Sequence, residues 1–572
     1  MTRAAAIVLV SACALACGRA AAPVTPLAAP KAHEAPPRPA PASRSLSVTL
    51  GFGAQGLHVR VLATGAPEDL RAWTLGEDEP DRLEARDAAD RPVTFRREGR
   101  RLVLESPAAV VTYDVRPREA DEDARTTLIE AARFRAAGEK ILAIPDAFDA
   151  AVVETTVTLD GRGIDAPVLA STFGVGNDRV SRTVRVAGAE LRRVAFLGGG
   201  GGRAEFDAPE GHDEAAWIGY TAFDPRAVAA EVAGFRGLLH DYFKGNELEP
   251  STLLLAVDAR PRGRFRVLRR ASGLLVALSG TDPFDASLRL AVAHELVHAW
   301  IGERIWLGDA TPGREAESYW FHEGVARWVA REQLARAGLL SPEEYATEVN
   351  RLLGIVTTSR HATRSSAELV REGTTFGVVP LLVARGALFA TIADAHVRGA
   401  SRGARSFDDV LRALARQAEA KRGPLPEGAL REALAAEIGE ARARSGFDEV
   451  VAKGTTRRLP DDALGGCFEA REIVHQIHDP GFDVAASRTS KTVIGLDPRS
   501  AAAIAGLRPG DALVSIDVPE KKGEARLEVE RDQKRIVVVY APSSGSARGQ
   551  AFSRRAAFRH DDEACRKLAL RR

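Results

Sequence analysis

Apolar and polar residues alternate at period two along much of the chain between Leu46 and Phe206. Leu57-His58-Val59-Arg60-Val61-Leu62 is one such run; Val93 to Arg96, Val110 to Val115 and Val152 to Val157 are others. With Gly, Asp and Pro between them, these runs predict a β-rich domain with one wet face over residues 44–206. The run Gly198 to Gly202 has no Lys-Ser or Lys-Thr after it, so it reads as a flexible domain-boundary hinge and not as a phosphate loop. From about Pro225 the apolar spacing lengthens to that of helices, through Ala229 to Leu239, Leu288 to Trp300, Gly324 to Ala337, Leu381 to Ala395 and Phe407 to Ala418. One strand-like run, Thr252 to Val257, precedes most of them. Residues 207–455 are therefore expected to form a mainly helical block with a small sheet.

Strand signals return after Arg457. Thr492 to Leu496 reads as a strand, Ser500 as a helix N-cap, and Ala501 to Ala505 as a short helix closed by Gly506. Pro509-Gly510-Asp511 then turns the chain into the strand Ala512 to Ile516. The string from Ser500 to Asp517 strongly resembles bacterial PDZ domains, and residues 456–572 are assigned to one on that resemblance. It implies that Gly481, Phe482 and Asp483 belong to a degenerate form of the loop that caps a peptide's terminal carboxylate. A C-terminal peptide ligand would then add a strand to the edge of the sheet.

The first residues read as an address. Arg3 is a positive start, Ala4 to Leu15 an apolar core, and Ala14-Leu15-Ala16-Cys17 a small-residue processing site. This site is similar to the lipobox of bacterial lipoproteins, although Ala14 stands where Leu is preferred; Val10-Ser11-Ala12-Cys13 fits better but leaves a very short signal. The expectation is a signal over residues 1–17, lipidation of Cys17 and a membrane anchor, with ordinary signal cleavage and secretion as the alternative. Residues 18–43, rich in Ala and Pro, lack the apolar bulk to pack and read as a tether. The protein is thus expected outside the cytoplasm, periplasmic or on the cell surface. Two of the four cysteines lie in the signal; Cys467 and Cys565 remain, and an exported chain can keep them as a disulfide.

Composition adds little. The 572 residues include 45% hydrophobic and 27% charged residues, enough for several cores. The 79 basic and 78 acidic residues nearly cancel, so no charge excess points to nucleic acid.

The chemistry lies in Ala293-His294-Glu295-Leu296-Val297-His298-Ala299-Trp300. On a helix, residues four apart share a face, so His294 and His298 can grip one ion. Glu295 then sits beside the open coordination position as a general base. A catalytic zinc usually takes three protein ligands, and two glutamates compete for the third place. Glu317, with residues 299–316 between it and His298, has the spacing of one aminopeptidase class. Glu323 lies in Trp320-Phe321-His322-Glu323-Gly324-Val325-Ala326, with His322 read as structural.

His-Glu-Leu-Val-His-Ala-Trp followed by Trp-x-x-Glu-Gly-x-Ala resembles the gluzincin aminopeptidases. The domain order resembles the glycyl aminopeptidase family in particular. The resemblance implies Glu323 as third ligand, one zinc per chain and peptide or protein substrates. The fold implied is an α+β multidomain one: a β-rich N-terminal domain, a thermolysin-like helical peptidase domain and a C-terminal PDZ domain. Two departures stand against it. Leu275, in Ser272-Gly273-Leu274-Leu275-Val276, takes the place of the glutamate that would hold a substrate's free amine. Val383 takes the place of the tyrosine that stabilises the oxyanion, with His361 as the candidate stand-in. The reading is an exported zinc metallopeptidase; the alternative is a zinc-binding pseudopeptidase acting as a PDZ-containing envelope interaction protein.

Overall fold

The structure, a computed structural model, describes residues 43–53, 56–116, 123–130, 132–161, 168–208, 211–244, 249–310, 315–371, 378–455, 458–519 and 523–569. The expected signal, Cys17 and the tether as far as Ala42 lie outside the described residues.

In the N-terminal part, period-two alternation becomes strands buried on one face. Along Gly56–Thr64, Leu57, Val59, Val61 and Ala63 are buried, while His58 and Arg60 face water. This strand sits in a six-stranded sheet in the order 179–187, 152–160, 45–53, 56–64, 110–115 and 80–86. A four-stranded and a five-stranded sheet complete the region.

The glycine run is not a hinge. Gly198 and Gly199 end the strand Ala195–Gly199, and Gly201 and Gly202 open the strand Gly201–Ala208. A Cβ on Gly201 would lie 1.8 Å from the Trp217 carbonyl oxygen, and one on Gly198 2.5 Å from the Phe134 ring. Close packing, rather than flexibility, demands glycine here.

Gly201–Ala208 is one edge of a second five-stranded sheet, followed by Gly211–Ile218, Ser251–Asp258, Gly273–Ser279 and, at the other edge, Arg266–Arg270. The middle three strands are parallel; the edge strand Arg266–Arg270 runs antiparallel to its neighbour. Alternation sorts their side chains. Leu253, Leu255, Leu274, Val276 and Leu278 join the helical core, whereas Leu254, Ala256 and Leu275 pack on Val168, Ala170 and Leu197 of the N-terminal region.

The helices lie where the 3.6 period places them: Pro225–Phe243, Ala286–Val297, Ala326–Arg336, Val378–Ala400 and Phe407–Lys421 among others. Asp285 starts the metal-motif helix by accepting hydrogen bonds from the backbone N–H of Ser287 and Leu288 at 3.0 and 3.1 Å. The Val378–Ala400 helix is apolar and long enough to cross a membrane, but 72% of its apolar window is buried in the protein core.

Beyond residue 458, Phe468–His478 pairs with Ser543–Arg554 in an antiparallel ribbon. A disulfide joins Cys467 to Cys565, with Cα atoms 5.1 Å apart, and both are part of the helical core. Between the ribbon strands sits a separate small core built on Phe482, Ala502, Leu507, Leu527, Val529 and Val538. It holds a three-stranded sheet, Ala512–Asp517, Ala525–Arg531 and Lys534–Tyr540, and the Ser500-capped helix Ala501–Ile504. Buried Asp511 holds its turn by accepting from the Arg508 backbone and from the Arg531 guanidinium. Thr492 to Leu496 makes only one isolated bridge, Thr492 to Ala512, and is not a strand. The segment before it, Val484–Ser490, is helical and ends at Lys491 in the left-handed conformation.

Candidate metal centre

The helix Ala286–Val297 and the residue after it carry His294 and His298 on one face. A π-helical turn, Trp320–Val325, carries Glu323. The turn is shaped by the long helix Val378–Ala400. A Cβ on Gly386 would lie 1.6 Å from the Trp320 carbonyl oxygen, so glycine there lets backbone press on backbone. Phe321 and Val325 are fully buried and fix the turn from the other side.

The donor atoms converge. His294 Nε2 lies 3.0 Å from Glu323 Oε2, His298 Nε2 3.5 Å from the same oxygen, and the two Nε2 atoms 3.2 Å from each other. Donors bound at ~2.0–2.2 Å to one tetrahedral ion lie roughly 3.3 Å apart, so the set fits zinc. His298 Nδ1 donates to the Ile301 carbonyl at 3.0 Å, which leaves the Nε2 lone pair for the ion. Among the described residues these three form the group able to hold a metal; Glu317 is exposed and not part of it.

The three groups also act strongly on one another's charge. Burial acts upward on Glu323, but hydrogen bonds and charge from His294 and His298 override it and hold the carboxyl far below its ordinary range. Burial pushes His294 down. Burial also opposes His298, yet Glu323 and Glu295 carry it up to about 9. His322 points away: its Nε2 accepts from the Leu307 N–H at 3.2 Å, its ring packs 4.2 Å from Trp306, and burial holds it down at about 4.

Glu295 is half-buried, and its Oε2 accepts from the backbone N–H of Arg269 at 3.1 Å. Arg269 belongs to the edge strand, and its guanidinium is bidentate to Glu303 at 2.8 and 2.7 Å. Burial acts upward on Glu303, but Arg269 and Arg193 keep its carboxyl low. Neither Arg269 nor Glu303 is legible as a site residue in the sequence, because the bond to Glu295 comes from the backbone and carries no side-chain signature.

Leu275, expected in the place of an amine-holding glutamate, does not face the metal centre. Leu275 is on an interior strand, fully buried, and faces the N-terminal region rather than the metal helix. Strand alternation puts its neighbours Leu274 and Val276 on the helical side instead. Val383 is half-buried on the long helix, one turn from Gly386, and its carbonyl would lie 2.8 Å from a Cβ on Gly324. His361 sits in a turn after the helix Pro342–Thr358, with Arg360 Nε donating to its Nε2 at 3.2 Å. In the C-terminal module, Phe482 is a core residue, and Asp483 caps Val484–Ser490. The N–H groups of Gly481 and Asp483 already donate to Asp479 and Ile494.

Metal-binding geometry on this fold defines a metallopeptidase of the zinc type, a hydrolase by class. Residues 287–375, which hold the whole ligand set, match the model of the M61 glycyl aminopeptidase family. The fold is similar to that of an aminopeptidase N family protein from Idiomarina loihiensis, with a TM-score of 0.65 at 13% identity, covering 92% of this chain and 100% of that one. An M1 zinc metallopeptidase from Deinococcus radiodurans has a TM-score of 0.47 at 17% identity, covering 73% of this chain and 95% of that one. Yeast LTA4 hydrolase has a TM-score of 0.44 at 12% identity, covering 73% and 69%. No curated protein sequence matches.

Proposed function

We propose that this chain is an exported, zinc-dependent peptidase with His294, His298 and Glu323 as ligands and Glu295 as general base. The observation that carries the proposal is the convergence of the three donor atoms within 3.5 Å of one another, the two imidazoles coming from the helical segment that also presents Glu295 and the carboxylate from the turn Trp320–Val325. A zinc ion held there would polarise a peptide carbonyl and lower the pKa of water toward ~7. Glu295 takes the proton of the attacking water and passes it to the leaving amine. The Arg269 N–H keeps one carboxylate oxygen in place and leaves the other to receive that proton. The outer edge of Arg266–Arg270 has no partner strand among the described residues, so an extended peptide can pair along it.

The matched family model is described as a glycyl aminopeptidase, and with Leu275 away from the site nothing at that position opposes recognition of a free amine. A second reading, zinc binding without turnover, has Val383 in its favour, since valine offers an oxyanion no donor. The C-terminal module is proposed to be PDZ-like, on its sequence string, its Ser500-capped helix and its three-stranded sheet. Lipid anchoring at Cys17 rests on the sequence, and Cys17→Ser should move the protein to the soluble fraction.

The deciding experiment is a digest of a peptide library, half with acetylated N-termini, by zinc-loaded wild type and Glu295→Gln. Cleavage by the wild type alone, at equal zinc content, is expected. Equal cleavage by both proteins overturns Glu295 as base, and no cleavage by either supports the second reading.

A further inference from the structure

The turn that follows the metal helix touches both halves of the catalytic apparatus. Ile305 N–H donates to the Trp300 carbonyl at 2.7 Å and Gly302 N–H to the Ile305 carbonyl at 3.0 Å, which closes residues 300–305 into a compact loop. Ile301 uses its carbonyl to hold Nδ1 of the ligand His298. Two residues on, Glu303 receives both arms of the Arg269 guanidinium, and the Arg269 N–H holds Glu295. Ligand and base are therefore linked through one loop and one ion pair.

The N-terminal region braces the same point. Arg193 Nη2 lies 3.5 Å from Glu303 Oε1, and the Arg193 carbonyl accepts from the Ala271 N–H at 3.1 Å. Arg270, next to Arg269 on the edge strand, pairs with Glu139. Three consecutive residues, 269 to 271, are thus tied to something other than their own sheet.

We infer that the Arg269–Glu303 pair is a positioning clamp for Glu295: it locks the edge strand to the loop after the metal helix, and so fixes the base relative to His298. The inference rests on the reading of Glu295 as general base. Two physical facts argue for positioning over stability. The pair is partly open to water, with side chains 22% and 38% exposed, and ion pairs this exposed add little to global stability. A glutamate has several rotatable bonds, so its carboxylate holds a reactive position only if something outside its own chain restrains it. Misplacement of a catalytic group by about 1 Å can cost roughly 10²-fold in rate.

The test uses the full zinc-loaded chain and the peptide that wild type cleaves fastest. Arg269→Ala and Glu303→Gln should each lower kcat roughly 10–100-fold, with KM, zinc affinity in a chelator competition and melting temperature close to wild type. Hydrogen exchange at the Arg269 amide should speed up in Glu303→Gln, a readout that needs no turnover. The swapped pair Arg269→Glu with Glu303→Arg should recover part of kcat. Wild-type kcat in both single variants, with Glu295→Gln inactive, overturns the clamp and leaves the base intact. Loss of zinc or of folding in both shows a structural pair and also overturns it. Full activity in Glu295→Gln instead removes the reading of the base on which the clamp depends.

Discussion

Gly386 of the long helix and Gly324 of the turn carrying Glu323 meet backbone to backbone, so closely that a Cβ on Gly324 would lie 2.7 Å from the Gly386 Cα. The position of Glu323 therefore depends on a residue 63 positions further along the chain that has no side chain at all. Gly386→Ala should push the Trp320–Val325 turn away, lower stability by the ~1–3 kcal/mol typical of overpacking, and weaken zinc binding. Thermal melts and metal analysis of the variant check both; full zinc content with an unchanged melt would show that the turn yields freely.

The ligand assignment makes a sharper forecast. His294→Ala or His298→Ala should abolish zinc binding, and Glu323→Gln should weaken it far more than Glu317→Gln, since only Glu323 reaches the imidazoles. Metal content after dialysis decides between them. Stripping of zinc by Glu317→Gln alone would reverse the assignment.

The family resemblance puts Val383 where related enzymes carry an oxyanion-binding tyrosine. A single donor to a tetrahedral oxyanion is worth roughly 10²–10³ in rate, and a valine side chain provides none. Val383→Tyr should raise peptide turnover at equal zinc occupancy, and His361→Ala should lower it if that histidine substitutes. A wild-type rate that neither change moves would place the oxyanion donor elsewhere.

Acid should loosen the helical block at a definite place. Burial acts upward on Glu348, but Arg351 and Arg327 outweigh it and bring its pKa from 4.5 to about 2. A depressed carboxylate stabilises the fold fully above its unfolded pKa and loses that contribution as pH falls toward the folded one. Stability from this residue should therefore fade between about pH 4.5 and pH 2, by up to about 3 kcal/mol. Denaturant melts of Glu348→Gln should show a lower neutral-pH stability and a flatter acid slope than wild type; parallel curves would contradict this.

The disulfide ties the C-terminal helix Asp562–Ala569 to the start of the ribbon, across a separation of 98 residues. A loop of that size gives an entropic ceiling of about 4–5 kcal/mol. Cys467→Ser with Cys565→Ser should lower the melting temperature and expose the last helix to proteolysis. Alkylation and intact mass without reductant, on protein from the native compartment, test the bond itself; two free thiols would refute it.

Local physics makes much of the protein legible in its sequence. Strand alternation in the N-terminal region, the spacing of the metal helix, the pairing of His294 with His298 and the Ser500 cap all rest on residues within a turn or two of each other. Their geometry follows from the period of the element alone.

Tertiary structure decided the rest. Glu323 reaches His294 across 29 positions because Gly386 admits the long helix against its turn, whereas Glu317, nearer in sequence, stays at the surface. Leu275 leaves the site because one step along a strand reverses the face a side chain takes, and the neighbouring sheets fix which face is which. The Gly198 to Gly202 run became two strands because Trp217 and Phe134 lie against it, and Glu295 found its partner in a backbone N–H that any residue but proline at 269 would offer. In each case the outcome depended on which distant surfaces meet, and a one-dimensional pattern does not encode that.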